Sequence, residues 1–249
     1  MSLFEQGLQP TSERISVIIP TLNEAVCLGK TLEILQAAST QDIEVIVVDG
    51  GSTDRTVEIA QAAGCKVIRS TPGRAQQMNM GAAQASGEIL LFLHGDTQLP
   101  QQFDRLICET LDRKSVIAGA FELKIEGSQW GLRWVEWGVK WRSSMFQLPY
   151  GDQALFLRAD LFRNLGGFPA LPIMEDFVLV RQLRKRGRLA IVPASVLTSG
   201  RRWQTLGILQ TTLWNQVMIL GFYLGIPPER LKAWYRRDRS RRDADHPGG

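Results

Sequence analysis

Histidine is nearly absent from this 249-residue chain, occurring only at His94 and His246, which excludes a multi-histidine zinc site. Cysteine is almost as scarce. Cys27, Cys65 and Cys108 stand far apart with no C-x-x-C spacing, so they build neither a zinc cluster nor the disulfide framework of a small secreted domain. Reduced structural thiols of a cytoplasmic protein are the expectation. No G-x-G-x-x-G follows an early strand, which removes the dinucleotide fingerprint of a dehydrogenase. The segment after the first apolar run, Pro20-Thr21-Leu22-Asn23-Glu24, contains no glycine, against a glycine-looped nucleotidyltransferase. Met1 to Arg14 lacks the basic-then-apolar order of a secretory signal. Gln204 to Pro228 carries no charge at all. Its apolar run is broken by Gln204, Gln210, Asn215 and Gln216, so a buried or interface-lying helix is expected rather than a membrane span.

What is present is enough for a sizeable core: 44% of residues are hydrophobic, compatible with one α/β domain over 1–249. The net charge is only +4, yet much of the basic excess lies late, at Arg181, Arg184, Lys185, Arg186, Arg188, Arg201, Arg202 and in the Arg236-to-Arg242 tail. That asymmetry suits an acidic partner, a substrate diphosphate or an anionic membrane surface before nucleic acid, although a run such as Arg184-Lys185-Arg186 is most often a solvated face. The Arg/Asp-rich tail is expected to be disordered.

Apolar runs and helical periodicity alternate along the first half. Strands are predicted at 15–19, 43–48, 66–69 and 89–93, with helices at 25–38, 55–63, 74–85 and 101–112. Sequential parallel strands joined by helices imply right-handed crossovers and helices on both sheet faces. Later strands are predicted from Val116 to Ile125, Ala154 to Arg158 and Leu189 to Val196, and Phe177 to Arg186 reads as a helix opened by Glu175-Asp176. Trp130, Trp134, Trp137 and Trp141 recur on one helical stripe, whose expected orientation is toward the core.

The chemistry gathers at strand ends. Ile89-Leu90-Leu91-Phe92-Leu93 is apolar throughout, as in a strand buried on both faces, and it delivers His94-Gly95-Asp96 to the edge where ligands of open α/β sheets bind. A carboxylate there can share a hard divalent cation with substrate phosphates, and Asp96 is the candidate metal ligand. Ile43 to Val48 similarly delivers Asp49, followed by Gly50-Gly51 for a tight turn and by Ser52 or Thr53 as cap of the next helix. Ile15 to Ile19 ends at Pro20, after which Thr21, Asn23 and Glu24 supply polar groups able to grip a sugar hydroxyl or a base edge.

These segments, in this order, resemble the family 2 glycosyltransferases of GT-A fold. The likeness rests on Val17-Ile18-Ile19-Pro20-Thr21-Leu22-Asn23-Glu24, Val47-Val48-Asp49-Gly50-Gly51-Ser52-Thr53-Asp54 and His94-Gly95-Asp96. It extends to Pro72-Gly73-Arg74, Gly151-Asp152-Gln153 and Glu175-Asp176, about Ile15 to Trp203, and is nearest to small bacterial transferases with His in place of the first Asp of the D-x-D motif. The resemblance implies an inverting transferase moving a sugar from a nucleotide-diphosphate sugar, UDP above others, to a hydroxyl acceptor that could be a lipid, a glycan or a small metabolite. It implies a donor-binding half at 15–112, an acceptor and catalytic half at 113–203, and a C-terminal helix and basic tail at 204–249. Thr21, Glu24 and Asp49 would bind the nucleoside. Gly73-Arg74 would open a helix whose N-terminus favours an anion, with Arg74 helping to cradle the nucleotide. His94 would contact the ribose or the metal's surroundings, tilting preference from magnesium toward manganese if it coordinates. Asp176 would be the base with Glu175 as its support, and Asp152 would meet donor sugar or acceptor. Arg201 and Arg202 would clamp the diphosphate. Ser199 stands where processive members carry the glutamine of Q-x-x-R-W, which counts against processive polymerisation. A catalytically silent sugar-nucleotide or membrane-surface binder is the non-enzyme alternative. The implied location is the cytoplasm, with peripheral contact to its membrane face.

Overall fold

The computed structural model describes residues 13–201, 203 and 207–234. Arg202 and the basic tail, including its expected disorder, lie outside the described residues. Eight strands form one mixed sheet: β1 (Ile15–Thr21), β2 (Glu44–Asp49), β3 (Lys66–Arg69), β4 (Ile89–Phe92), β5 (Thr97–Gln98), β6 (Val116–Ile125), β7 (Phe156–Arg158) and β8 (Arg188–Thr198). The helices are α1 (Ala25–Ala38), α2 (Thr56–Ala62), α3 (Arg74–Ala83), α4 (Phe103–Leu111), α5 (Trp130–Phe146), α6 (Ala159–Asn164), α7 (Glu175–Arg184) and α8 (Ile208–Tyr223).

The sheet order is β3-β2-β1-β4-β7-β6-β8-β5. β1 pairs in parallel with both β2 and β4, so the chain runs outward through β2 and β3 and then returns to the far side of β1. That reversal leaves a crevice beyond the carboxyl ends of β1 and β4, the switch point where open α/β sheets bind ligands. β7 lies antiparallel between β4 and β6, which makes the sheet mixed.

Alternation along the buried strands divides the core between two faces. Ile15, Val17 and Ile19 of β1 pack with Leu28, Leu32 and Leu35 of α1 and Phe103 and Ile107 of α4. Ile18, with Ile46 and Val48 of β2, faces Met78 of α3, Phe162 of α6 and Leu179 and Leu183 of α7. The second layer is close-packed: a Cβ on Gly81 would stand 2.6 Å from Ile18 Cγ2 and 3.0 Å from Val48 Cγ2, so α3 lies where only glycine lets it approach.

Two expectations are corrected here. The tryptophan stripe of α5 faces outward, with Trp130, Trp134, Trp137 and Trp141 exposed by 76%, 59%, 62% and 51%. α5 carries a second stripe, and it is Leu132, Val135, Val139 and Ser143 that face the protein. The start of α2 is served neither by Ser52 nor by Thr53. Asp54 Oδ1 accepts the Thr56 N–H at 3.0 Å, while Ser52 Oγ accepts the Asn23 N–H at 2.9 Å. Cys27, Cys65 and Cys108 are all free thiols, and burial pushes Cys65 and Cys108 up to about 11. No described helix is long and apolar enough to cross a membrane.

Candidate active site

Three loops leave the sheet at the switch point, and their hydrogen bonds fix them to one another. Asp49, nearly buried, accepts the backbone N–H groups of Gly51 (3.0 Å) and Ser52 (3.1 Å), turning the chain sharply after β2. Asn23 adopts a left-handed backbone (φ 56°), and its Oδ1 accepts the Thr53 N–H at 2.8 Å, tying the β1 loop to the β2 loop. Gln77 of α3 reaches back to donate to the carbonyls of Thr21 and Val48, both at 2.8 Å. Thr21 is buried at the strand tip, Pro20 is half-buried beside it and Gly95 lies against Glu24 and Thr21.

Glu24 turns toward Asp96. Arg201, 177 residues later in sequence, bridges them, with Nη2 3.1 Å from Glu24 Oε2 and 3.8 Å from Asp96 Oδ2. Burial lifts the Glu24 carboxyl above its ordinary range, and the hydrogen bond from Arg201 opposes that lift.

The second group surrounds the start of α7. Met174 takes a left-handed conformation (φ 69°), and the next two residues enter the first helical turn. Glu175 is buried and receives the Arg74 guanidinium; Arg74 Nη2 also lies 3.7 Å from Asp176 Oδ2. The Gly73-Arg74 element thus opens α3 as expected, and its arginine is directed onto the acidic pair. The Gly151 N–H donates to Asp176 Oδ2 at 2.8 Å. A Cβ on Gly151 would come within 2.9 Å of that oxygen and 3.4 Å of His94 Nε2, so this glycine permits the close approach. Burial, followed by the Arg74 charge, pushes the His94 imidazole down to about 4, leaving it neutral at neutral pH.

Sequence reasoning overlooked what holds Gly151 in place. Gln153 is fully buried, and its Oε1 accepts from Ser143 Oγ (2.8 Å), the Tyr150 N–H (3.3 Å) and Arg142 Nη2 (3.4 Å), while Nε2 donates to the Phe121 carbonyl (2.8 Å). Arg142 stacks over Tyr150 at 3.5 Å from the ring centroid. A lone glutamine after Gly151-Asp152 gives no sequence sign of this network; its partners lie on α5 and β6.

Arg74, His94, Asp96, Tyr150, Asp152, Glu175 and Asp176 line one cleft of about 480 Å³, walled also by Trp203 and by Asn215, Met218 and Ile219 of α8. Pro20, Thr21, Asn23, Asp49 and Gly73 stand outside its lining, at the adjoining strand tips and the start of α3. Asp152 Oδ1 is buried with no hydrogen-bond partner among the described residues, and burial raises its carboxyl. No three metal-ligating side chains cluster among the described residues. Of the four carboxylates on this cleft, Asp96 and Asp152, the latter with an unengaged buried oxygen, fit magnesium or manganese, which take one or two protein carboxylates and complete their shell from water and phosphate.

A family model described as Glycosyl transferase family 2 matches residues 16–160. The chain belongs to the family 2 glycosyltransferases. It is 31% identical over 170 residues to a PGL/p-HBAD biosynthesis glycosyltransferase of Mycobacterium tuberculosis, covering 61% of this chain and 62% of that one. It is 38% identical over 97 residues to a 4,4'-diaponeurosporenoate glycosyltransferase of Staphylococcus haemolyticus, covering 36% of this chain and 26% of that one. The chain therefore spans about three-fifths of the length of the mycobacterial relative. Among solved structures, S. aureus TarS 1-349 in complex with UDP superposes with a TM-score of 0.62 at 20% identity, over 75% of this chain and 60% of that one. The mannosyltransferase PcManGT from Pyrobaculum calidifontis, in complex with GDP-Man and Mn2+, gives 0.58 at 21%, over 76% and 57%. The likeness shows the GT-A fold.

Proposed function

We propose that the protein transfers a sugar, with inversion, from a UDP-linked donor to a hydroxyl acceptor, with Asp176 as the base. One observation carries this reading: the Asp176 carboxylate is fixed in the cleft by the Gly151 N–H at 2.8 Å, between neutral His94 and the Arg74–Glu175 pair. In a direct displacement the acceptor oxygen bonds to the anomeric carbon as that carbon's bond to the diphosphate breaks. The bonding electrons leave on the diphosphate oxygen, and the acceptor proton passes to Asp176. Attack opposite the leaving group inverts the centre.

The other side chains position and screen. Glu175, buried, aims the Arg74 guanidinium and offsets its charge, so that Asp176 meets a cation held at fixed distance. His94, neutral, offers the sugar a hydrogen-bonding nitrogen without adding charge. Arg201 and Arg202 supply positive charge for the diphosphate, and Thr21, Asn23, Glu24 and Asp49 form the nucleoside side with Pro20, Gly73 and Gly95. On this reading residues 15–112 serve the donor and 113–203 the acceptor. Asp96, with Asp152 on the same cleft, would hold a divalent cation, which when bound neutralises charge on the leaving diphosphate. The UDP of the TarS structure supports the choice of nucleotide, and the Mn2+ of the PcManGT structure, which holds GDP-Man, supports the choice of ion.

Release of UDP from a panel of UDP-sugars, measured with manganese, tests the assignment. Asp176→Asn is expected to lower kcat at least about a hundredfold with donor affinity nearly unchanged. An equal loss of donor affinity would make Asp176 a donor ligand instead, and a wild-type protein that binds but never turns over any nucleotide sugar would be a silent binder.

A further inference from the structure

Beyond the chemistry of the cleft, α5 shows solvent an aromatic ladder. Trp130, Trp134 and Trp137 stack edge to face at 5.8 and 6.2 Å between successive ring centroids, and Trp141 continues the row one turn on. Four exposed indoles on one helix form a continuous apolar surface of the kind that water-soluble proteins cover. α8 adjoins: a Cβ on Gly131, at the start of α5, would lie 2.9 Å from Ile208 Cδ1, at the start of α8. α8 contains no charged residue and leaves Leu213 and Leu220 more than half exposed.

Charge decides among the surfaces that could cover these helices. After residue 200 the sequence has nine Lys and Arg against four Asp and Glu, an excess larger than the net +4 of the whole chain. A second copy of the chain carries the same positive excess and is repelled by it. An anionic bilayer attracts it, and tryptophan, with an apolar ring and one N–H donor, is the side chain that settles at the boundary between headgroups and acyl chains. We propose that the exposed faces of α5 and α8 are a docking surface for an anionic lipid bilayer, entered by the tryptophans and favoured by the positive charge of the chain. The helices lie on the surface and do not span it. Because α8 also walls the cleft through Asn215, Met218 and Ile219, docking brings the cleft to the lipid boundary.

Sedimentation of the full chain with vesicles of phosphatidylcholine and phosphatidylglycerol, against vesicles of phosphatidylcholine alone, tests this. Strong binding to the anionic vesicles, weaker binding to the neutral ones and release by high salt are expected. Brominated lipids should quench the tryptophan emission. Replacing both Trp134→Ala and Trp137→Ala should lower the partition coefficient about tenfold, while circular dichroism melting shows the variant folded, since both side chains are exposed. Absence of binding to anionic vesicles, or equal binding by the variant, overturns the proposal. So does a concentration-dependent dimer that the double variant abolishes, which would give the surface to a second copy of the chain.

Discussion

Gln153 shows how one buried amide can organise a site without touching it. Its oxygen takes donors from α5 and from the Tyr150 backbone, and its nitrogen caps the Phe121 carbonyl of β6. The turn that presents the Gly151 N–H to Asp176 is therefore clamped from two elements. Gln153→Leu keeps the volume but strands the Tyr150 N–H, the Ser143 hydroxyl and the Phe121 carbonyl, and an unsatisfied buried group costs about 1–3 kcal/mol. We expect a loss of roughly 2–4 kcal/mol in urea unfolding, once partial relaxation is allowed, and a fall in kcat that exceeds any change in donor affinity. An unchanged unfolding midpoint would show that the clamp contributes nothing. At this scale the sequence was only partly legible. His94 and Asp96 could be singled out because the strand before them is apolar, Asp152, Glu175 and Asp176 only through the family resemblance, and all five line one cleft. Their partners could not. Arg74 pairs with Glu175 across 101 positions, and Arg201 joins Glu24 across 177, separations that no local pattern encodes.

The elements were more legible, because burial on two faces writes a continuous apolar run and burial on one helical face writes a period of 3.6. α1 runs Ala25–Ala38, as its periodicity predicts, and β6 runs Val116–Ile125. What failed were elements made by tertiary pairing or ambiguous in face. β5 is two residues that become a strand only by pairing with β8, and β7 begins at Phe156 instead of Ala154 because Gly151–Gln153 forms a tight 3-10 turn and Ala154 then takes a left-handed backbone. α5 has two apolar stripes, and pattern alone favours the bulkier one, whereas the smaller packs inward. The junction of that 3-10 turn with α7 is where backbone geometry meets chemistry. In Gly151→Ala the new methyl must displace Asp176 Oδ2 or shift the turn, since the two would stand 2.9 Å apart. The expected outcome is a loss of kcat of about ten- to a hundredfold, with an unfolding free energy within about 1 kcal/mol of wild type, because a 1 Å misplacement of a reacting group costs far more in rate than in stability. A variant with wild-type kcat would show that Asp176 need not be held at this distance.

Across the whole molecule, the strand order places acidic groups from separate stretches of the sequence, Asp96, Asp152 and the Glu175-Asp176 pair, on one cleft, and charge balance there depends on what is bound. Asp96 follows β4, Asp152 precedes β7, and Arg201, from the segment after β8, pairs with Asp96; on the proposed reading each contributes charge beside the diphosphate. Carboxylates facing phosphates repel unless a divalent cation lies between them, so binding of nucleotide and of metal should reinforce each other. Thermal unfolding reads this coupling without any turnover. A ligand at a hundred times its Kd stabilises by about 2.7 kcal/mol, and each kcal/mol raises Tm by about 2–4 °C in a protein of this size. UDP with manganese is expected to raise Tm by more than the separate effects of UDP and manganese added together. Asp96→Ala should abolish that excess and keep the smaller shift that UDP alone produces. If the variant retains the full excess, the cation is held elsewhere; if wild type shows none, nucleotide binding does not draw on a metal at Asp96, and the arginines alone carry the diphosphate.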